Sequence, residues 1–170
     1  MGYTFSMISQ FKTFLIVTVF SWYGMMIFHE AGHVAVALFS GAEIIRVQIP
    51  LLGFSYTEIG ANPNPLWTAW AGPIGGVSSA LLLLLMTTGS RRRVRHIALY
   101  FSGFSCIANG LYLGVGMFDR VGDCADLLRN GAEPWQLVLF GVASCLLGFI
   151  CWHRMGPIRR LFADSEEKQE

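Results

Sequence analysis

Between Thr13 and Ala42 the chain carries one formal charge, Glu30. A lone carboxylate in so apolar a run is costly to bury, and an ionisable residue at membrane depth marks a functional site. Glu30 lies within His29-Glu30-Ala31-Gly32-His33, which reads H-E-x-x-H. On a helix, positions four apart share a face, so the imidazoles of His29 and His33 can reach one ion. Glu30 then sits beside that ion, placed to take a proton from a metal-activated water. The same side chains could instead pair locally or face a polar cavity. The spacing, the carboxylate and the apolar flanks together favour the metal.

The rest of the chain fits a membrane setting. Hydrophobic residues make up 54% and charged residues 14%, where a soluble domain carries about 25% charged residues. Net charge is +1, which leaves no basic surplus for nucleic acid. Four apolar runs approach or exceed the roughly 20 residues that a helix needs to cross a bilayer. They are Phe11–Phe39, Leu66–Thr88, Ile97–Phe118 and Trp135–Trp152. No small-x-small cleavage site precedes the histidines, so the first run is read as an uncleaved span. Gly41 suits the end of the first helix. Ile44–Ile49 and Phe54–Ile59 then read as the strands of a short β-hairpin, and Asn62-Pro63-Asn64-Pro65 breaks the chain before the second helix. The expected fold class is an all-α polytopic membrane protein with about four transmembrane helices and a short β-hairpin after the first. Residues 1–160 form a single membrane-embedded domain, and 161–170 a polar tail. Cys106, Cys124, Cys145 and Cys151 contain no C-x-x-C pair and are expected as buried free thiols.

Arg91, Arg92, Arg93 and Arg95 lie between the second and third runs, and Arg154, Arg159 and Arg160 follow the fourth. The loops at 40–65 and 119–134 hold only Arg46, Arg120 and Arg129. The positive-inside rule makes this a multi-pass protein of the cell membrane with both termini and the tail cytoplasmic. The motif then lies nearer the opposite side.

A catalytic zinc takes three protein ligands and keeps one open position. The first and third runs cross in the same direction, so the third ligand belongs near the end of the third run. His96 and His153 lie at the other side and drop out. Asp119, Asp123 and Asp126 are placed correctly, with Glu43 and Glu58 of the hairpin as weaker rivals. Cys124 is a further soft donor beside Asp123.

The motif in its apolar helix resembles the site-2 protease family of intramembrane zinc metallopeptidases. Ala71-Gly72-Pro73 resembles that family's small-Gly-Pro element. Gly122-Asp123-Cys124-Ala125-Asp126-Leu127-Leu128 is similar to its Asp-Gly segment, although Cys124 replaces the second glycine and no proline matches the family's Asn-Pro element. The resemblance implies a zinc metalloendopeptidase whose substrates are membrane-spanning or membrane-adjacent proteins, with His29, His33 and Asp123 on Zn²⁺ and Glu30 as general base. It implies Asn109 as the counterpart of a substrate-binding asparagine. It implies a hairpin that holds the substrate as an added strand, and a site opening toward the cytosol, against the arginine count. Gly72 and Gly76 are read as a close-packing pair against the histidine-bearing helix. The alternative function is a catalytically inactive membrane adaptor or chaperone that retains the fold. A small transporter is disfavoured by the lack of an inverted repeat.

Overall fold

The computed structural model describes residues 2–158; Arg159, Arg160 and the tail at 161–170 lie outside them. The element order is α1 (Gly2–Ser40), β1 (Ile44–Gln48), β2 (Tyr56–Ile59), α2 (Pro65–Met86), α3 (Arg92–Gly116), α4 (Asp123–Arg129) and α5 (Pro134–Met155). Four helices are long and apolar enough to cross a membrane: Gln10–Ser40 of α1, and α2, α3 and α5. They carry the four apolar runs, and the two-stranded sheet follows the first. Their outward faces expose Phe20, Leu82, Leu85, Leu146 and Phe149, the surface a lipid environment covers.

α3 is the central helix, packed against α1, α2 and α5. Small residues set these approaches. A Cβ on Gly32 would overlap the Ala71 carbonyl oxygen, and one on Gly75 would lie 2.9 Å from the Gly32 Cα. The motif's own glycine therefore seats α1 against the Ala71-Gly72-Pro73 segment of α2. On the other side of α3, a Cβ on Gly141 would meet the Gly110 carbonyl oxygen and the Gly114 Cα at 2.8 Å. Beneath the ends of α2, α3 and α5 lies an apolar cluster of Ala69, Leu113, Cys124, Leu127, Ala132 and Leu137. It fixes α4, which is a single short helix where the sequence suggested a loop. Leu127 and Cys124 make α4 amphipathic enough to dock.

The hairpin is antiparallel, with Val47 opposite Thr57 and Gln48 opposite Tyr56, and a bulge between Ile44 and Arg46. Its strands are shorter than the expected Ile44–Ile49 and Phe54–Ile59: Pro50 has no N–H to pair, and the Leu51 carbonyl is taken by Tyr23 of α1. The hairpin begins where α1 ends, with the Ala42 N–H bonded to the Ala37 carbonyl. It then runs back along α1. The Tyr23 hydroxyl donates to the Leu51 carbonyl at 2.8 Å, and the Trp22 and Phe54 rings lie 6.0 Å apart. From Ala37 to Trp22 is roughly 22 Å along the helix. The hairpin thus lies beside α1, with Leu51, Leu52 and Phe54 exposed at its tip.

Because the α3–α5 contact is backbone against backbone, neither helix can yield locally. Gly141→Val is expected to destabilise the protein by roughly 1–3 kcal/mol, read as a lower unfolding midpoint in detergent. Leu146→Val on the outward face of α5 should leave the midpoint almost unchanged. Equal losses in the two variants would contradict this packing.

Candidate metal centre

The two motif histidines lie on the inner face of α1, and both are buried. Their Nδ1 atoms are fixed by acceptors. His33 Nδ1 lies 2.8 Å from the Thr68 carbonyl oxygen. A carbonyl only accepts, so Nδ1 carries the hydrogen. His29 Nδ1 lies 2.7 Å from Asn109 Oδ1. The Asn109 amide is oriented by its other end, since Nδ2 donates to the Ser105 carbonyl at 2.9 Å. His29 Nδ1 therefore donates as well. Both rings turn their Nε2 atoms inward, which is the arrangement that outer hydrogen bonds impose on metal-binding histidines.

Asp123, the first residue of α4, completes the group. The His29 and His33 Nε2 atoms are 3.2 Å apart. Asp123 Oδ2 lies 2.8 Å from the first and 3.3 Å from the second. Zinc bonds of about 2.0–2.1 Å at tetrahedral angles place neighbouring donor atoms about 3.3 Å apart. The triangle is close to that size. Three lone-pair donors this near each other need a cation between them, either protons or a metal ion. With protons as the shared cation, burial works against the charge of Asp123, but hydrogen bonds from protonated His29 and His33 outweigh it and hold the carboxyl well below its usual range. Among the described residues this is the group of His, Cys, Asp or Glu side chains whose donor atoms converge for a metal.

Gly72 supplies the space. A Cβ there would overlap His33 Nε2 and stand 2.7 Å from His29 Nε2, in the volume an ion bonded to both nitrogens would take. Gly72 thus faces the imidazoles themselves, while Gly76 makes room for the Asn109 amide. The close contact between α1 and α2 backbones falls instead to Gly32 and Gly75. The donor chemistry, the triangle and this cradle all fit a zinc ion.

Glu30 is 2% exposed. Its Oε2 accepts a hydrogen bond from the Thr57 hydroxyl of β2 at 2.6 Å, and Oε1 takes no part in that bond. The hairpin therefore reaches the motif directly.

The other sequence candidates lie elsewhere. Asp126 pairs with Arg129 at 2.9 Å on the surface of α4, and Asp119 is exposed in the turn after α3. Glu58 pairs with Arg46 at 3.5 Å on the outer face of the hairpin. The Glu43 backbone closes the hairpin's base against Gly60 and Ala61. His96 lies near the start of α3, roughly 20 Å along that helix from Asn109. The Cys124 thiol donates to the Tyr112 carbonyl at 3.3 Å. Burial, with Asp123 alongside, pushes it up to about 11, so it remains a thiol at neutral pH. All four cysteines are free. Asn109 has both ends of its amide engaged and is 1% exposed; in the structure it orients His29.

Thr57, Thr68 and Tyr112 were not singled out by sequence. Thr57 had a faint signal, since the two-residue period of β2 places it with Ile59 on the side facing α1. The contribution of Thr68 is a backbone carbonyl, which no side-chain pattern reveals.

No family model, curated protein or solved structure matches the chain.

Gly72→Ala removes no donor atom, yet it fills the space that an ion held by both Nε2 atoms would take. It should lower zinc binding by at least tenfold, measured by titration with a competing chelator. Gly75→Ala, which presses on the Gly32 backbone a turn away, serves as the packing control. Equal zinc affinity in Gly72→Ala and wild type would show that the ion does not sit between the histidines and α2.

Proposed function

We propose that the protein is an intramembrane zinc metalloendopeptidase that cleaves membrane-spanning or membrane-adjacent proteins. The observation that carries this reading is a buried carboxylate, Glu30, beside three donors that converge on one point. A protein that only bound a partner would gain nothing from an ionisable group in so apolar a helix. The resemblance of the motif, of Ala71-Gly72-Pro73 and of the segment around Asp123 to the site-2 protease family supports the same reading.

His29, His33 and Asp123 would hold the zinc, which when bound supplies Lewis acidity toward a peptide carbonyl and toward water. The chain's own residues perform the remaining tasks. The Asn109 side chain and the Thr68 carbonyl keep both Nε2 atoms aimed inward. Thr57 holds one oxygen of Glu30, which leaves Oε1 to accept a proton from the attacking water. The hydroxyl adds to the carbonyl carbon, the C–N bond breaks, and Glu30 returns the proton to the departing amine. Hydrolysis is then balanced, with one water consumed for each peptide bond cut.

The hairpin is suited to present the substrate. A two-stranded sheet offers unpaired backbone groups along its outer edges, and an extended segment can add to one of them. Because Thr57 lies on β2, a strand held there would run close to Glu30. Such pairing would offset the helical hydrogen bonds a membrane-spanning substrate loses on unwinding. The arginine distribution supports a multi-pass protein with both termini in the cytoplasm.

Glu30→Gln removes the base and no ligand. The variant should retain zinc and lose cleavage by at least 100-fold, seen as intact membrane proteins accumulating in cells that express it and as the loss of their fragments. Asp123→Asn should lose both zinc and cleavage, while Asp119→Asn and Asp126→Asn should keep both. Identical fragment patterns for wild type and Glu30→Gln would leave the inactive adaptor as the better reading.

A further inference from the structure

Three consecutive residues at the third ligand all meet one residue of α3, two of them at its hydroxyl and one at its backbone carbonyl. Gly122 adopts φ +55, and a Cβ on it would overlap the Tyr112 hydroxyl. The Asp123 N–H donates to that hydroxyl at 3.1 Å. Cys124 donates its S–H to the Tyr112 carbonyl at 3.3 Å, with Gly116 leaving room for the sulfur. The Tyr112 ring also meets His29 edge-on, with centroids 5.7 Å apart and an interplanar angle of 75°.

Tyr112 lies one turn beyond Asn109, and positions three apart share a helix face. That face of α3 therefore touches His29 twice, through the Asn109 amide on Nδ1 and through the Tyr112 ring. From the same face, the tyrosine hydroxyl reaches the backbone of Asp123. The histidine and the carboxylate come from elements far apart in sequence, and α3 sets the gap between them.

We infer that Tyr112 is a positioning residue for the metal centre: its hydroxyl anchors the backbone of Asp123, and its ring buttresses His29, so that nitrogen and carboxylate stand at ligating distance. This rests on the proposal that His29, His33 and Asp123 hold zinc. Asp123 begins a helix of only two turns, and no proline stiffens the segment 117–122 that leads into it. Its side chain could swing if the backbone were not tied. The tie is specific to the hydroxyl, because phenylalanine would keep the ring contact with His29 while freeing the Asp123 N–H.

Removing an outer partner of a metal ligand typically costs about 10–100-fold in affinity. Tyr112→Phe should weaken zinc binding by that factor, measured by chelator competition on the purified full chain. Tyr100→Phe is the matched control. It removes a comparable hydroxyl from the same helix, bonded to Thr18 at 2.8 Å and distant from the site, and should leave affinity within about twofold. Gly122→Ala should also weaken binding, and less so in the Tyr112→Phe background, where the hydroxyl it presses on is gone; a double-mutant cycle reads this coupling. Cobalt substitution gives a second readout: the visible bands of the ion should change in Tyr112→Phe and stay as in wild type in Tyr100→Phe.

Zinc binding by wild type together with unchanged affinity and cobalt bands in Tyr112→Phe would overturn the role of Tyr112 alone. Equal losses in the two tyrosine variants would do the same, since the effect would then be general to the fold. A wild-type protein that binds no zinc would overturn the metal reading and this inference with it.

Discussion

Two imidazole nitrogens and a carboxylate oxygen meet within 3.3 Å of one another inside an apolar helix bundle. That meeting is unfavourable unless a cation is shared among them, and much of the structure serves to hold it. Each histidine is turned by an acceptor on a different helix, Asn109 on α3 and Thr68 on α2. The carboxylate arrives on α4, fixed beneath the bundle by Leu127 and Cys124. A buried polar group that lacks its partner costs more than a satisfied one contributes. Loss of any one of these supports would therefore be felt at the others.

Close approach is the second constraint. Gly32 and Gly72 do different jobs on facing helices. Gly32 lets the backbone of α1 reach the backbone of α2, and Gly72 leaves open the space in front of the two Nε2 atoms. The glycine inside the histidine motif and the glycine before Pro73 are therefore parts of one arrangement. With α1 seated by these contacts, the hairpin can run back beside it and bring Thr57 to Glu30. The element that would hold a substrate and the group that would act on it are joined by a single hydrogen bond of 2.6 Å.

The sequence carried the four helices and the hairpin openly, because apolar length and strand periodicity are local properties. His29, Glu30 and His33 were legible for a similar reason: a four-residue spacing states its own geometry. Asp123 was legible only in part. Position narrowed the choice to Asp119, Asp123 and Asp126, and a loose resemblance selected among them. What separates them in space is that Asp126 turns to Arg129 while Asp123 turns inward at the start of α4. Thr57, Thr68 and Tyr112 were hidden because their roles depend on contacts between elements. Tyr112 in particular looks like one more aromatic residue of an apolar helix until the fold brings Asp123 beneath it. The hairpin's course was hidden too. Its strands were visible, but its return along α1 is set by tertiary contacts at Tyr23, Trp22 and Thr57.

X-ray absorption at the zinc edge of the purified protein tests the central claim most directly, because it reads the donor atoms themselves. A centre built from His29, His33 and Asp123 should show only nitrogen and oxygen neighbours at about 2.0–2.2 Å, with the outer scattering of two imidazole rings. In Asp123→Asn that signal should be lost or its coordination changed. A sulfur neighbour at about 2.3 Å, or a protein that takes up no zinc, would contradict the site described.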